Sequence, residues 1–174
     1  MGETSGVVPL GIEESMLPLN HGEEYELKVD SGDSESGFFG VLALVGSGAN
    51  LYRDTLTNGY EENVKVGDII PTDRNMAGPT RSGVNARINN CPSGDMEDRN
   101  CSRVMLVVIY EPYEQSGNQL KSIRVTGFAY FYISEPMANN DDSIRGTFIK
   151  RTGSGTAGTG TPVDGGAYTI RLTE

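Results

Sequence analysis

Two long runs of β-branched and aromatic residues in the second half of the chain constrain the fold more than any other feature. Residues 103–110 read RVMLVVIY, a composition typical of a central strand. Residues 121–133 alternate between polar and apolar side chains before becoming aromatic, and Gly127 within them predicts a bulge or bend. The polar stretch between the two runs, with its tip at 116–118, is expected to turn the chain.

The remaining patterns also predict mostly strands. Residues 23–29 alternate with a period of two, 38–45 form a short apolar run, and 143–150 read as a further strand. Residues 64–70 predict a strand bent at Gly67.

Two segments predict short helices. The first covers residues 49–57 and ends at Asn58 and Gly59, because glycine is common just past a helix end. The second is expected over 81–89, with Thr80 as its N-cap.

These elements predict a mainly β fold, with α+β as the alternative. We expect a single domain of about seven or eight mostly antiparallel strands with two short helices, spanning residues 1–151. Residues 152–174 are rich in glycine and threonine and predict a tail. Within it, residues 167–173 alternate again, a pattern compatible with a terminal strand.

The charge of the chain excludes several classes of partner. The 174 residues carry a net charge of −10, and a chain of this length suits one domain. Residues 1–36 contain nine acidic residues and one lysine. Such a balance argues against nucleic acids and against anionic membrane surfaces, which both require basic residues. The acidic segment indicates either a solvated edge or a face for a cation or a basic partner.

The two cysteines, Cys91 and Cys101, bracket a polar loop. An even pair at this spacing favours a structural disulfide in an oxidising compartment, and the alternatives are two free thiols or a redox pair. His21 is the only histidine and lies in an expected turn. The sequence contains no nucleophile motif that could form a catalytic set with it. The sequence therefore predicts no catalytic residues, no cofactor and no zinc site.

Acidic residues supply the weak candidates for other chemistry. Asp30, Asp33 and Glu35 lie close together in a turn and are calcium candidates, although the order of an EF-hand loop is missing. A hydrolase would require a carboxylate pair in a cleft, with Asp68 and Asp73 as examples.

Two further sequence features bear on these alternatives. Glu61 and Glu62 are adjacent in the chain, and adjacency alone does not place both side chains in one cleft. A carbohydrate-binding module would use exposed tyrosines from one set of four: Tyr110, Tyr113, Tyr130 and Tyr132.

Several short blocks occur in an order that resembles a known family. They are GEEYELK at 22–28, SGFFGVL at 36–42, ANLYRD at 49–54, NGY at 58–60, VGDII at 66–70, GPTRSG at 78–83, RV at 103–104, VTGFAYFYI at 125–133 and RGTF at 145–148. Over residues 8–150 the chain resembles the extracytoplasmic part of TadE/TadG-like proteins. These proteins belong to the Flp (tight-adherence) pilus-assembly machinery of Gram-positive bacteria.

This resemblance implies a non-enzymatic domain of a pilus-assembly or pilin-like protein at the cell surface. Its partners would be other pilus-assembly or surface proteins, and its oligomeric state is left open. The resemblance also implies that the full-length protein is anchored in the membrane by an N-terminal helix that this chain lacks.

Overall fold

Strands make up most of the structure, a computed structural model that describes residues 2–30, 38–46, 48–73, 77–92, 94, 101–117, 119–139, 143–150 and 163–165. The helices are α1 (Ala49–Asn58) and α2 (Ala77–Asn89), and a 3-10 turn covers Glu14–Met16. The strands are β1 (Glu3–Thr4), β2 (Val7–Glu13), β3 (Glu24–Asp30), β4 (Phe38–Val41), β5 (Val64–Lys65), β6 (Ile69–Pro71), β7 (Val104–Ser116), β8 (Gln119–Ile133), β9 (Ser143–Ile149) and β10 (Val163–Gly165). The predicted mainly β fold with two helices is confirmed.

Six of the strands form a sheet that closes on itself. Their order is β8, β7, β2, β4, β3 and β9, and β9 pairs again with β8. Four neighbouring pairs are antiparallel, whereas β2–β7 and β3–β4 are parallel. Each of these strands therefore has a neighbour on both sides, which removes the unpaired edges of an open sheet.

The interior of the closed sheet is filled by apolar side chains. Phe131 contacts Phe39 and Phe148 edge to face, with ring centroids 5.2 and 4.9 Å apart. All three rings are fully buried. The apolar residues of α1 and α2 join the same cluster, so the helices pack against this core: Tyr52, Leu56, Val84 and Ile88. A ligand has no room to enter between these packed rings without displacing them.

A second apolar cluster lies on the other face of β7 and β8, beneath the segment that contains β5 and β6. Tyr110 is its largest fully buried side chain. The tyrosine ring lies against Gly11 and Gly40, which pair with each other between β2 and β4. A Cβ atom at Gly11 would come within 2.8 Å of the ring, so glycine makes this close approach feasible.

The expected irregularity in the long aromatic run is a bulge. The pairing of β7 with β8 shifts register where Ile109 lies opposite Gly127 and Tyr110 lies opposite Val125, so Thr126 is the extra residue. The Thr126 hydroxyl donates a hydrogen bond to the carbonyl oxygen of Ile109. Because one residue is inserted, the odd-numbered positions of β8 face the second apolar cluster before the bulge, as Val125 does, and the interior of the closed sheet after it, as Phe131 does.

The second helix starts earlier than the sequence predicts. It begins at Ala77, so Thr80 lies inside it and is not its N-cap. Pro79 fits the first turn of a helix because the amide hydrogen that proline lacks has no acceptor there. The fully buried Thr80 hydroxyl forms a hydrogen bond of 2.6 Å with the Tyr52 hydroxyl of α1 instead.

A short strand of the C-terminal segment pairs with the main sheet. β10 runs parallel to Gly127–Ala129 of β8. The predicted terminal strand at 167–173 lies outside the described residues. Among the helices described here, neither has the length and apolar character needed to cross a bilayer.

Candidate interaction site

The predicted disulfide is present between Cys91 and Cys101. Both cysteines are buried. Arg103 donates hydrogen bonds to the carbonyl oxygens of Cys91 and Pro92, at 2.9 and 3.2 Å. The Tyr132 hydroxyl donates to the carbonyl oxygen of Gly94 at 2.6 Å. The disulfide therefore belongs to a packed junction, and it indicates an oxidising, extracytoplasmic environment.

Arg87 of α2 is a buried cation that joins several elements. Its guanidinium donates to the carbonyl oxygens of Leu56 at 2.6 Å and Ser102 at 2.9 Å. The Ser102 hydroxyl donates back to the Arg87 carbonyl oxygen. Burial lowers the pKa of Arg87 to about 10. These contacts hold the end of α1 and the start of β7 against α2, which is a structural role.

Tyr52 and Thr80 form a buried polar contact between the two helices. Burial raises the pKa of the Tyr52 phenol above its ordinary value of 10.0. The hydrogen bond with Thr80 opposes this rise, and the negative charge of Asp73 adds to it. The blocks at 49–54 and 78–83, which carry part of the resemblance, thus meet through these two side chains.

The calcium candidates lie mostly outside the described residues. Asp30 is the last residue of β3, whereas Asp33 and Glu35 are not described. Within the described ranges, no three His, Cys, Asp or Glu side chains are close enough together to hold a metal ion. His21 is half-buried, and no described group forms a hydrogen bond with its Nε2 atom.

The two carboxylates named for a hydrolase have separate positions. Asp68 accepts a hydrogen bond from the backbone N–H of Lys65 at 2.9 Å, which closes the turn between β5 and β6. The strand predicted over 64–70 is divided into two short strands with different partners, and Gly67 adopts a φ of 100° in the turn between them. Asp73 follows β6 and lies close enough to Tyr52 for its charge to affect the phenol. Asp68 therefore has a local structural role.

The idea of a platform of exposed tyrosines is wrong for three of its four members. Tyr110, Tyr130 and Tyr132 are buried, and only Tyr113 is exposed, at 57%. The physical reason is the closed sheet, because both faces of β7 are covered over residues 105–110 and both faces of β8 over residues 127–133.

The far half of the β7–β8 hairpin (residues 111–124) extends past the end of β2. The last residue of β7 that pairs with β2 is Tyr110, and from Pro112 to Ser116 the strand is exposed. No other described strand pairs with that outer edge. Glu111 forms an ion pair with Arg124, and Ser122 donates to Glu114 at 2.9 Å. These contacts between the two strands hold the hairpin in one shape around the exposed Tyr113.

A groove of about 340 Å³ lies at the C-terminal end of α1. Asp54 and Asn58 line it from the helix, Glu61 and Glu62 from the segment that follows, and Val45 from the segment that precedes the helix. The three acidic side chains are exposed. We call this feature the acidic groove. Sequence reasoning missed it because only the fold brings Asp54 next to the Glu61–Glu62 pair.

The acidic groove is poorly suited to acid–base hydrolysis. Such a mechanism needs a carboxylic acid shielded from water so that it stays protonated, and these carboxylates are solvated. Comparisons with protein-family models, with curated proteins and with solved structures find no match to this chain.

Proposed function

We propose that this chain is the non-enzymatic, extracytoplasmic domain of a membrane-anchored pilus-assembly or pilin-like surface protein that acts through protein–protein contacts. The proposal follows from the resemblance to TadE/TadG-like proteins of Gram-positive bacteria. The disulfide agrees with it, because it indicates an oxidising compartment.

The far half of the β7–β8 hairpin is the observation that carries this proposal. The two strands of this exposed hairpin are joined by side-chain contacts, and its outer edge is unpaired among the described strands. Such a hairpin is a natural docking element for another protein. Tyr113 is the largest exposed side chain on it, and tyrosine is enriched at protein interfaces. Pro112 has no N–H to offer, and Glu111 and Glu114 flank the Pro112–Tyr113 pair, so we expect contacts through side chains rather than an added strand.

The filled interior of the closed sheet agrees with such a role. Its aromatic and aliphatic side chains occupy the space that a substrate would need, which leaves the outer surface for recognition. The side chains that recognise a partner would then lie on the outer surface of the domain.

The test is to change Tyr113 in cells that assemble pili. We expect Tyr113→Asp to reduce the number of surface pili counted by electron microscopy, because it places a charge in the contact. Asn90→Asp is the control, since it adds the same single negative charge at an exposed position just after α2. Both purified variants should melt at the wild-type temperature.

Normal piliation with Tyr113→Asp would refute the role of the hairpin, as would equal losses in both variants. Hydrolysis of peptidoglycan or protein by the purified chain, abolished by a single substitution, would refute the non-enzymatic assignment.

A further inference from the structure

The edge of β8 that faces away from β7 pairs with three separate segments. β6 pairs with residues 122–124 of this edge, and β9 pairs with residues 130–133. The backbone of Val125 forms hydrogen bonds with Gly67 and Asp68, in the turn before β6. Residues 127–129 lie between these contacts, and β10 is the described strand that pairs with them. We call this part of the edge the acceptor segment.

The acceptor segment needs a strand beside it because its backbone is buried. The N–H of Ile133 donates to the carbonyl oxygen of Arg103 on the β7 side, and the pairing of β7 with β8 is regular from residue 127 onward. Alternate residues of a strand direct their backbone groups to opposite edges, so Phe128 directs its N–H and carbonyl group away from β7. Phe128 is 2% exposed, and buried backbone groups are almost always paired.

β10 supplies this pairing through its own backbone. The two strands are parallel, and Asp164 lies opposite Phe128. In a parallel pair, a residue bonds to the neighbours of the residue opposite it, so Phe128 faces the carbonyl oxygen of Val163 and the N–H of Gly165. The N–H of Asp164 points away from β8 in this arrangement. The N–H of Gly165 is therefore the donor that β10 offers to the acceptor segment.

β10 can leave its own chain without opening the closed sheet. Among the described strands it pairs with β8 alone, and it is not one of the six strands that close the sheet. β9 ends opposite Tyr130 and β10 begins opposite Gly127, positions about 10 Å apart along β8. Residues 150–162, which connect the two strands, can extend over about 40 Å, so they also allow β10 to reach a neighbouring molecule.

We propose that the acceptor segment binds β10 of a second copy of this chain, so that copies are linked through exchanged C-terminal strands. The occupant is a second copy because the strand that fits the acceptor segment is part of this chain. A closed copy and an exchanged copy contain the same strand pairing, so the balance between them depends on concentration. The effective concentration that favours closure is about 1 mM for a short connection, and exchange is expected where copies are crowded to that level.

This inference rests on the proposed role in protein contacts, names one partner and uses a surface other than the hairpin. The test mixes two preparations of the full chain at a total of about 1 mM. One carries a nitroxide spin label on Thr161→Cys, and the other is ¹⁵N-labelled without a nitroxide, so any broadening of its NMR signals arises between copies. We expect selective broadening of the amide signals of residues 127–129, and most of it should disappear on about tenfold dilution.

Two proline substitutions separate strand exchange from chance collisions. Gly165→Pro removes the N–H that faces Phe128, whereas Asp164→Pro changes a residue whose N–H faces away and is the matched control. In the nitroxide copy, Gly165→Pro should reduce the broadening about two- to twelvefold, the range for one lost backbone hydrogen bond. In the ¹⁵N-labelled copy it should increase the broadening, because that copy's own β10 then competes less. Asp164→Pro should change either result by less than about twofold.

Three outcomes would overturn the proposal: no selective broadening of residues 127–129, equal broadening with and without Gly165→Pro in the nitroxide copy, or the same broadening from a nitroxide on the exposed Asn90→Cys. The hairpin test in cells is independent of these results. Absent exchange together with the expected loss of pili in Tyr113→Asp would reject the strand exchange and leave the proposed function standing.

Discussion

Gly146 of β9 lies where the sheet closes, and adding one methyl group there should weaken the whole fold. It pairs with Ile133 of β8 on one side and with Tyr25 of β3 on the other. A Cβ atom at this position would lie well under 3.0 Å from the carbonyl oxygen of Tyr132, and 2.7 Å from Cε2 of Phe131. The first of these atoms belongs to the backbone, so it cannot move away by rotating a side chain.

The expected loss of unfolding free energy follows from the atoms of β8 and β9 that must move apart. Overpacking a rigid site costs about 1–3 kcal/mol and sometimes more. Moving β9 away from β8 also weakens hydrogen bonds that each contribute about 0.5–1.5 kcal/mol. We therefore expect Gly146→Ala to lower the free energy of unfolding by about 3–5 kcal/mol, a large part of the roughly 5–15 kcal/mol of a typical domain. The melting temperature should fall by about 6–20 °C.

Urea unfolding followed by circular dichroism measures this change. Gly78→Ala is the matched control, because nothing lies within 4 Å of a Cβ atom at Gly78 and the residue is in α2. The control should be neutral or stabilising by up to about 1 kcal/mol, because alanine favours helices over glycine. If Gly146→Ala unfolds within about 1 kcal/mol of the wild type, the reasoning about closure is refuted.

Two further predictions concern the disulfide and the contact between the helices. Replacing both Cys91 and Cys101 by serine should lower the free energy of unfolding by about 2.5–3 kcal/mol, the chain-entropy value for a loop of this length; an unchanged urea midpoint would contradict it. Tyr52→Phe should cost about 1 kcal/mol at neutral pH by removing its hydrogen bond with Thr80. The raised pKa of Tyr52 means that the unfolded chain loses this proton first, so wild-type stability falls above pH 10.0. The difference between wild type and Tyr52→Phe should therefore shrink above that pH in the same urea experiment, and a constant difference would contradict the assignment.

Local patterns in the sequence were sufficient for most of the elements, but they missed β2, whose consecutive residues are buried on both faces and therefore show no period of two. The period of two predicted β3, and the glycine at position 59 predicted the end of α1. The start of α2 was misplaced because a threonine favours both N-caps and buried hydrogen bonds, and only its neighbour Tyr52 decides between them.

The candidate interaction surfaces depended more strongly on the tertiary structure. Asp54 and the Glu61–Glu62 pair are separated by the end of a helix, and no periodicity indicates that they line one groove. The exposure of Tyr113 differs from that of Tyr110 because β2 pairs only with the first half of β7. The sequence places Tyr110 at the end of an apolar run and Tyr113 in the polar stretch that follows, but only the pairing with β2 shows where the covered part of β7 ends.

The sequence by itself determined the mainly β class, the two helices and the cysteine pair, because each depends on residues close together in the chain. Only the tertiary structure decided that the sheet closes through β9, that the second apolar face is covered, and where carboxylates gather at the surface. Closure requires Gly146 to lie against a carbonyl of β8, a contact between distant residues. Such contacts depend on how strands pair in space, which a local pattern of polar and apolar residues does not encode.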